Sequence, residues 1–358
     1  MNVVSSPSGS ALAGRPYPGT VPALYEVDRS DLEKLLSGEP AYRTDQVWDG
    51  LYRRLNVPAE MTDLPTPLRA ALQRSLPPAL TEVSRRTSAN GDTVKWAWSL
   101  ADGAAIETVL MHYGRRSTVC VSSQAGCAMR CGFCATGQAG FTRHLRPGEI
   151  VEQVVTAARW ARPRRLSNVV FMGMGEPLAN FEAVWRAVER LHGAMGISAR
   201  QLTISTVGIV PGIRRLANAG VPVNLAVSLH AANNTLRDEL VPINRRYPLE
   251  VLAQACDEYA RHSGRRLSLE WALIEGVNDR PSDARELAEW ARPLRAHVNL
   301  IPLNPTPGYP WPGTPPSGVD GFARQLRRFG VNTTVRDTRG VDIDAACGQL
   351  AGVVSKPG

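Results

Sequence analysis

Three cysteines lie close together in the first half of the chain, at Cys127, Cys131 and Cys134. Three thiolates with this C-x3-C-x2-C spacing can ligate three irons of a cubane iron–sulfur cluster and leave the fourth iron without a protein ligand. Clusters that only transfer electrons normally have four cysteine ligands, whereas an open coordination position is typical of a site that binds substrate. The spacing therefore predicts a catalytic [4Fe–4S] cluster, and with it an enzyme.

Two other roles for these cysteines have less support. A zinc site would need a fourth ligand, for which His144 is a candidate. Zinc sites usually combine C-x2-C with a second such pair, and the sequence contains none. Buried cysteines can also serve as small apolar residues, but three of them within eight residues, among glycines, disfavour that interpretation.

The chain has 358 residues, of which 43% are apolar and 21% charged, as is typical of a soluble protein with one large and one smaller domain. Its first residues lack a basic segment followed by an apolar one, and no run approaches 18 apolar residues. We therefore expect neither secretion nor a membrane span. Clustered cysteines indicate a reducing compartment, so a cytoplasmic protein is predicted.

The formal net charge is +8, and arginine carries nearly all of the positive charge because lysine occurs only at Lys34, Lys95 and Lys356. Such a basic protein favours a polyanionic partner, such as nucleic acid. The alternative is a general preference for arginine on solvated surfaces, and charge alone does not separate the two.

The N-terminal third has two predicted parts. Residues 1–22 are rich in Ser, Gly and Pro, which predicts a disordered tail. Residues 23–112 are predicted to form an accessory RNA-binding module, a small group of helices followed by a β-meander with turns at Asn90-Gly91 and Asp102-Gly103. Its helices are expected at 31–36, 45–55 and 67–76, and its strands at 81–87, 92–99 and 104–111.

Residues 113–342 alternate between strand and helix patterns. Repeated strand–helix units predict an α/β core with a parallel sheet, in the form of a partial (β/α)6 barrel, with a doubly wound sheet as the alternative. The strands are expected at 117–123, 168–173, 201–206, 223–229, 266–273 and 297–302. The helices are expected at 148–161, 181–193, 211–219, 248–263, 282–294 and 319–329.

Barrel enzymes carry their chemistry where the strands end. In this sequence polar or glycine-rich residues follow five of the six predicted strands, so we expect them to line one cavity. These residues are the cysteine loop, the run from Met172 to Pro177, Ser205 with Thr206, the run from Ser228 to His230, and Asn304 with Pro305.

Together these residues resemble the radical S-adenosylmethionine (SAM) superfamily, which carries C-x3-C-x2-C after the first barrel strand. More narrowly, the chain resembles the bacterial dual-specificity RNA adenine-C2 methyltransferases over about residues 25–352. The matching stretches are CVSSQAGC (120–127), FMGMGEP (171–177), VSLHA (227–231), VPIN (241–244), NLIPLNP (299–305), TRG (338–340) and ACGQL (346–350). The fold that the resemblance implies is the partial radical-SAM barrel.

The resemblance implies two cofactors. The [4Fe–4S] cluster would be held by Cys127, Cys131 and Cys134, and SAM would bind its fourth iron through its amino and carboxylate groups. An electron from a reductase such as flavodoxin would then cleave SAM to a 5′-deoxyadenosyl radical. The implied SAM contacts are Gly175, Glu176, Ser205, Ser228, Leu229, His230 and Asn304.

The resemblance also implies roles for two distant cysteines. Cys347, in a C-terminal segment at 343–358, would accept a methyl group from one SAM as S-methylcysteine, and the radical from a second SAM would activate it for addition to adenine C2. Cys120 would release the product through a transient disulfide with Cys347. Glu107 would accept the C2 proton, with Cys120 as the alternative acceptor. Without the resemblance, Glu107 is expected to face solvent, Cys347 to lie on a mobile segment, and Cys256 to be a core residue.

The implied substrates are an adenosine of 23S rRNA at the peptidyl-transferase centre and an anticodon-loop adenosine of some tRNAs, methylated by a monomer. Three alternatives stay open. A C8-methylating, resistance-type relative shares the cluster, although Pro177 favours the C2 group. A radical SAM maturase acting on a protein would not need Cys120 and Cys347. A zinc RNA-binding protein would leave the strand-end residues unexplained.

Overall fold

Twelve strands lie within residues 22–304, 306 and 308–351, the part of the chain that this computed structural model describes. They are β1 (Leu80–Thr87), β2 (Thr93–Leu100), β3 (Ala105–Tyr113), β4 (Arg116–Cys120), β5 (Gln124–Gly126), β6 (Phe141–His144), β7 (Arg165–Phe171), β8 (Leu202–Thr206), β9 (Asn224–Ser228), β10 (Ser268–Leu273), β11 (His297–Pro302) and β12 (Thr333–Val335). Ten of them form one sheet, and β5 pairs with β6 as a separate hairpin.

Three α-helices of the described residues precede β1, and the others lie between the later strands. They are α1 (Arg29–Leu35), α2 (Tyr42–Asp49), α3 (Thr66–Ser75), α4 (Ala135–Ala139), α5 (Pro147–Ala161), α6 (Phe181–Gly193), α7 (Val210–Ala217), α8 (Asn234–Leu240), α9 (Leu249–Ser263), α10 (Pro281–Ala291) and α11 (Pro316–Arg328). Cys256, on α9, is fully buried in the core, as predicted.

The parallel strands cross the sheet in sequence order, from β4 through β7 to β12. A doubly wound sheet reverses its strand order near the centre, whereas right-handed crossovers in unbroken order place the helices along one face, as in a barrel. The edge strands β1 and β12 do not pair with each other within the described ranges, so the barrel is open. The prediction of a partial α/β barrel is confirmed, and the doubly wound alternative is wrong.

The N-terminal helices and the meander precede the barrel in the predicted order. Gly91 and Gly103 adopt the left-handed conformation (φ +73° and +81°) that the two predicted turns favour. β3 pairs with β4 through Val109 and Cys120, so the antiparallel and parallel strands form one continuous sheet. A domain boundary at residue 112 stays a prediction, because β3 continues to Tyr113.

Four elements, among them the five-residue helix α4, were not predicted from the sequence. β12 adds a seventh parallel strand, but with three residues it is too short to show a periodic pattern. Helix α8 and the β5–β6 hairpin also lie where the sequence predicted loops. The first barrel strand ends at Cys120 rather than at 123, because the backbone N–H of Ser123 turns to bond Met174 O at 2.8 Å.

Some predictions concern residues without a description. The predicted tail at 1–22 lies outside the described residues except for Pro22, as does the part of the C-terminal segment from 352 to 358. Within the described ranges, every helix is too short or too polar to cross a membrane.

Candidate active site

The three closely spaced cysteines converge on one cavity of about 990 Å³ at the carboxyl ends of the parallel strands. Cys127 and Cys131 are buried, and Cys134 is partly buried. No three His, Cys, Asp or Glu side chains of the described residues are placed around a single metal ion. Three thiols beside one cavity are a donor set of the kind that holds an iron–sulfur cluster.

A close backbone approach holds the cysteine loop. The N–H of Cys127 donates to Gly140 O at 2.7 Å. A Cβ on Gly126 would overlap that same oxygen, and Gly126 has a φ of +75°, so only glycine fits there. His144, the candidate zinc ligand, is hydrogen-bonded to Gln124 at 3.0 Å and is not among the residues that line the cavity.

Burial makes these thiols weak acids in the absence of metal. It raises the pKa of Cys127 to about 12, and it also raises the pKa values of Cys131 and Cys134. Iron–sulfur ligation requires thiolates, and a bound metal ion deprotonates the thiols that coordinate it. Binding of a cluster by these thiols would therefore release protons.

Six of the seven predicted SAM contacts line the cavity that contains the cysteines. They are Gly175, Glu176, Ser205, Ser228, His230 and Asn304. The seventh, Leu229, lies outside the lining, because its side chain is fully buried in the apolar core. The N–H of Leu229 donates to Glu270 O at 3.0 Å, so this residue joins β9 to β10.

Gly175 and Glu176 connect the ends of neighbouring strands. Gly175 has a φ of +101°, and a Cβ there would lie 2.6 Å from Gln124 Cβ. The two carboxylate oxygens of Glu176 accept from the backbone N–H groups of Leu178 (3.0 Å) and Val207 (2.8 Å). Burial nevertheless raises the pKa of Glu176 to about 7, so a cationic amino group bound beside it would favour the carboxylate.

His230 is a neutral residue of the cavity wall. Its Nδ1 accepts a hydrogen bond from the N–H of Ala272 at 2.9 Å, which leaves the ring proton on Nε2. Burial lowers the pKa of His230 to about 3, with Arg237 as the second cause. The imidazole can therefore donate a hydrogen bond without carrying charge.

Arg237 is a structural residue that the sequence did not reveal. Its fully buried guanidinium donates to Val207 O (2.7 Å), Leu229 O (3.1 Å) and Asn244 Oδ1 (2.9 Å). These bonds fix the loops that follow β8 and β9, where Ser205 and Ser228 end their strands. They also give a structural reason for Asn244 in the VPIN stretch.

Cys120 and Cys347 line a second, adjoining cavity of about 640 Å³. Cys134, Asn304, Arg336 and Cys347 belong to the walls of both cavities. Cys120 and Cys347 are both free thiols, so the structure contains no disulfide between them. Burial raises the pKa of Cys120 to about 12, and the neighbouring Cys347 contributes to that increase.

Hydrogen bonds join the residues around Cys347 to the rest of the site, although their sequence suggested a mobile segment. Cys347 O accepts from Asn304 Nδ2 at 3.2 Å, and Gly348 O accepts from the N–H of Ala135 at 2.8 Å. The hydroxyl of Thr136 donates to Leu350 O at 2.5 Å. Cys347 thus lies against the residues that follow Cys134.

Glu107 is buried, with 5% of its surface exposed, so the expectation that it faces solvent is wrong. The C-terminal segment covers this part of the meander, where Lys95 Nζ donates to Asp344 O at 3.0 Å and lies 3.7 Å from Glu107 Oε1. Burial raises the pKa of Glu107, and Lys95 partly offsets this. Glu107 shares a strand face with Val109, which lines the smaller cavity.

Sequence reasoning missed two charged residues of the cavity wall, Glu270 and Arg336. A signal for Glu270 existed, since a carboxylate within the buried parallel strand β10 departs from the apolar run that such a strand normally shows. Arg336 had no such signal, because it follows the short strand β12.

Comparison with known proteins places these features in a family. Residues 121–291 match the Radical SAM superfamily. A protein from Frankia alni named probable dual-specificity RNA methyltransferase RlmN is 52% identical, over 97% of this chain and 89% of its own length. A protein of the same name from Frankia casuarinae is 54% identical, over 95% of this chain and 84% of its own.

A solved structure agrees with these relatives. The crystal structure of a radical SAM methyltransferase from Sphaerobacter thermophilus is 50% identical to this chain and superposes with a TM-score of 0.90. The match covers 93% of this chain and 100% of the other. The similarity thus extends beyond residues 121–291 to nearly the whole chain.

Proposed function

The chain belongs to the radical SAM superfamily and, within it, to the dual-specificity RNA methyltransferases, and from this premise we propose that it methylates C2 of adenosine in RNA through a methylated cysteine. The proposed substrates are an adenosine of 23S rRNA at the peptidyl-transferase centre and an anticodon-loop adenosine of some tRNAs. Each turnover would consume two SAM, and a reductase such as flavodoxin would supply electrons.

The observation that carries this proposal is the position of Cys347 between two cavities. One cavity contains the three cluster cysteines and six candidate SAM contacts, and the other contains Cys120. A thiol in the shared wall can accept a methyl group on one side and present it to a base on the other. Neither a zinc RNA-binding protein nor a protein maturase needs this arrangement.

Each residue then has a definite task. When bound, the cluster and SAM supply a methyl group and a 5′-deoxyadenosyl radical. Cys347 would carry the methyl group as S-methylcysteine, and the 5′-deoxyadenosyl radical would take one hydrogen atom from that group. The resulting carbon radical would add to adenine C2, with the odd electron of the adduct returned to the cluster. Glu107, whose pKa is raised by burial, accepts the C2 proton. Cys120 then bonds to the sulfur of Cys347 and frees the methylated RNA, leaving a disulfide that must be reduced.

An arginine cluster at the amino ends of two neighbouring strands supports an RNA partner. Arg116 and Arg165 are paired in register on β4 and β7, and Arg115 and Arg164 flank them. All four are exposed, and none forms an ion pair with another described residue. Like charges placed side by side on a sheet are destabilising unless an anion lies between them, and RNA phosphates would supply that anion.

The remaining parts of the proposal concern the rest of the chain. Residues 23–112 would act as the accessory RNA-binding module, since β1 exposes nearly all of its residues, including Arg85 and Arg86. We further propose that the protein acts as a cytoplasmic monomer.

Mass spectrometry of rRNA and tRNA from a strain that lacks the gene tests the proposal. We expect 2-methyladenosine to disappear from one position of 23S rRNA and from a subset of tRNAs, and to return on complementation. Loss of 8-methyladenosine instead would identify a C8-methylating enzyme. Unchanged RNA with an altered protein would favour a maturase.

A further inference from the structure

Glu270 places a buried carboxylate oxygen without a hydrogen bond in the wall of the larger cavity. Its side chain is 3% exposed, and Oε2 has no hydrogen-bond donor among the residues that the structure describes. Glu176, in the same wall, has backbone donors to both of its oxygens. A buried polar atom without a partner is costly, so this position indicates a ligand that supplies the donor.

A chain of hydrogen bonds fixes the direction of that oxygen. Glu270 Oε1 accepts from Asn299 Nδ2 at 2.9 Å. Asn299 Oδ1 accepts from Thr334 Oγ1 at 2.5 Å and lies 3.0 Å from His297 Nε2. Because these groups hold the amide oxygen of Asn299, its NH2 group must face Glu270. Oε1 is thereby occupied and Oε2 is left for the cavity.

Arg336 supplies a donor opposite this acceptor. Its Nη1 lies 4.0 Å from Glu270 Oε2, which is too far for a hydrogen bond, and 3.8 Å from Met172 Sδ. Its backbone N–H donates to Leu300 O at 2.8 Å, which anchors the residue beside β11. A fixed acceptor and a cationic donor thus face the same space, as an ion pair at 4.0 Å that no hydrogen bond closes.

The Watson–Crick edge of adenine has the complementary pattern, because its N6 amino group donates and its N1 accepts. We propose that Glu270 and Arg336 bind this edge of the target adenine, with N6 donating to Glu270 Oε2 and N1 accepting from Arg336. The inference rests on the proposed function, which supplies the adenine. N1 is bonded to C2, so the carbon to be methylated would lie next to Arg336, in the wall that Arg336 shares with Cys347.

The adenine of SAM has the same edge, but the position of Arg336 favours the RNA base. The smaller cavity, which Arg336 also lines, contains Cys120 and Cys347. Of the predicted SAM contacts, it contains only Asn304. Glu270 lines only the larger cavity, so the target base would lie across the wall that the two cavities share, with its N6 amino group at Glu270 and its C2 beside Arg336 and Cys347.

The test compares two RNA hairpins that differ only at the target nucleotide, which is adenosine in one and purine riboside, lacking the N6 amino group, in the other. A hydrogen bond to a charged group contributes about 1.5–3 kcal/mol, so the wild-type protein should prefer adenosine by about 10- to 100-fold in kcat/KM. Filter binding of the two RNAs gives a second readout that does not require turnover.

Glu270→Gln should abolish this preference. The NH2 group of Asn299 would donate to the amide oxygen of the new glutamine. The NH2 group of that glutamine would then face the N6 amino group of adenine, which places two donors against each other. We expect adenosine and purine riboside to react at similar rates in this variant, with unchanged SAM affinity. Glu258→Gln, at a solvent-exposed residue paired with Arg214, is the matched control and should keep the wild-type preference.

Arg336→Met provides a second arm in case Glu270→Gln does not fold. In filter binding, the wild-type protein should bind RNA with 1-deazaadenosine at the target more weakly than the adenosine RNA, and Arg336→Met should bind the two RNAs equally. An unchanged preference in folded Glu270→Gln, or a loss of SAM affinity with the base preference intact, would overturn the inference. Absence of RNA methylation by the wild-type protein would instead refute the proposed function.

Discussion

The two groups of cysteines in this protein are positioned by different kinds of structure. Cys127, Cys131 and Cys134 lie on one loop, whose shape is set by local backbone contacts such as Cys127 N–H to Gly140 O. Cys120 belongs to a barrel strand, and Cys347 reaches it only because the C-terminal segment packs across the meander and the cysteine loop.

This difference implies that the two functions can be separated. Cluster binding should depend on the loop alone, whereas methyl transfer should also depend on how the C-terminal segment is docked. Substitutions in the first region should remove all chemistry. Substitutions in the second should leave SAM cleavage intact and affect the fate of the methyl group.

Cys131→Ala should have the largest effect, because it removes one of the three proposed cluster ligands. We expect loss of iron, of 5′-deoxyadenosine formation and of RNA methylation together. The wild-type protein, reconstituted anaerobically, should bind about four irons. Cys256→Ala, a buried cysteine on α9, is the control and should retain the cluster. A zinc-only wild-type preparation would contradict the cluster assignment.

Cys347→Ala should separate the cleavage of SAM from the methylation of RNA. The variant keeps all three cluster ligands, so we expect bound iron and continued cleavage of SAM to 5′-deoxyadenosine. Methylated RNA should be absent, because no thiol carries the methyl group. Detection of 2-methyladenosine in the product RNA would exclude Cys347 as the carrier.

Cys120→Ala should stop the reaction one step later. Without the second thiol the adduct between Cys347 and RNA cannot be resolved, so a covalent RNA–protein species should accumulate. Denaturing gel electrophoresis with labelled RNA measures it. The species should be absent from the Cys120→Ala, Cys347→Ala double variant, and normal turnover of the single variant would be evidence against a resolving role.

Glu107→Gln should slow methylation by about 100-fold, the scale of a lost general base. Because burial raises the pKa of Glu107, the active carboxylate of the wild-type protein is lost as the pH falls through a value above the ordinary glutamate range of about 4.3. The wild-type rate should therefore decline on acidification, and Glu107→Gln should lack this decline. A variant that keeps it would indicate another acceptor, such as Cys120.

Arg339→Gln should have the smallest effect. Arg339 holds the C-terminal segment on the meander through His112 O (2.8 Å) and Asp92 Oδ2 (3.1 Å) and lies over the ring of Tyr113. Weaker docking should lower methylation by about tenfold without changing iron content or SAM cleavage. Arg261→Gln, at an exposed pair with Asp257, should behave as the wild-type protein. Loss of iron from Arg339→Gln would show that cluster binding also depends on the docking of the C-terminal segment.

Much of the barrel was accessible to sequence reasoning because strands and helices of ordinary length show clear periodic patterns. The limits appear in short or irregular elements, such as β12 and α8, where few residues carry a pattern. The environment of Glu107 could not be predicted, because burial came from the distant segment at Asp344 and not from its own strand. The full burial of the Leu229 side chain was not predicted either, and its contact with SAM stays a prediction.

The amino-acid sequence by itself determined that three cysteines share one loop, since residues within eight positions of one another stay close whatever the rest of the chain does. It also determined the succession of strand–helix units and the glycines that permit close approach at Gly126 and Gly175. Only the tertiary structure decided that Cys120 and Cys347 share a cavity, that Lys95 and Glu107 are covered, and that Glu270 and Arg336 face the same space. Local spacing sets contacts between neighbours in sequence, whereas contacts between distant residues depend on how the whole sheet and the C-terminal segment pack.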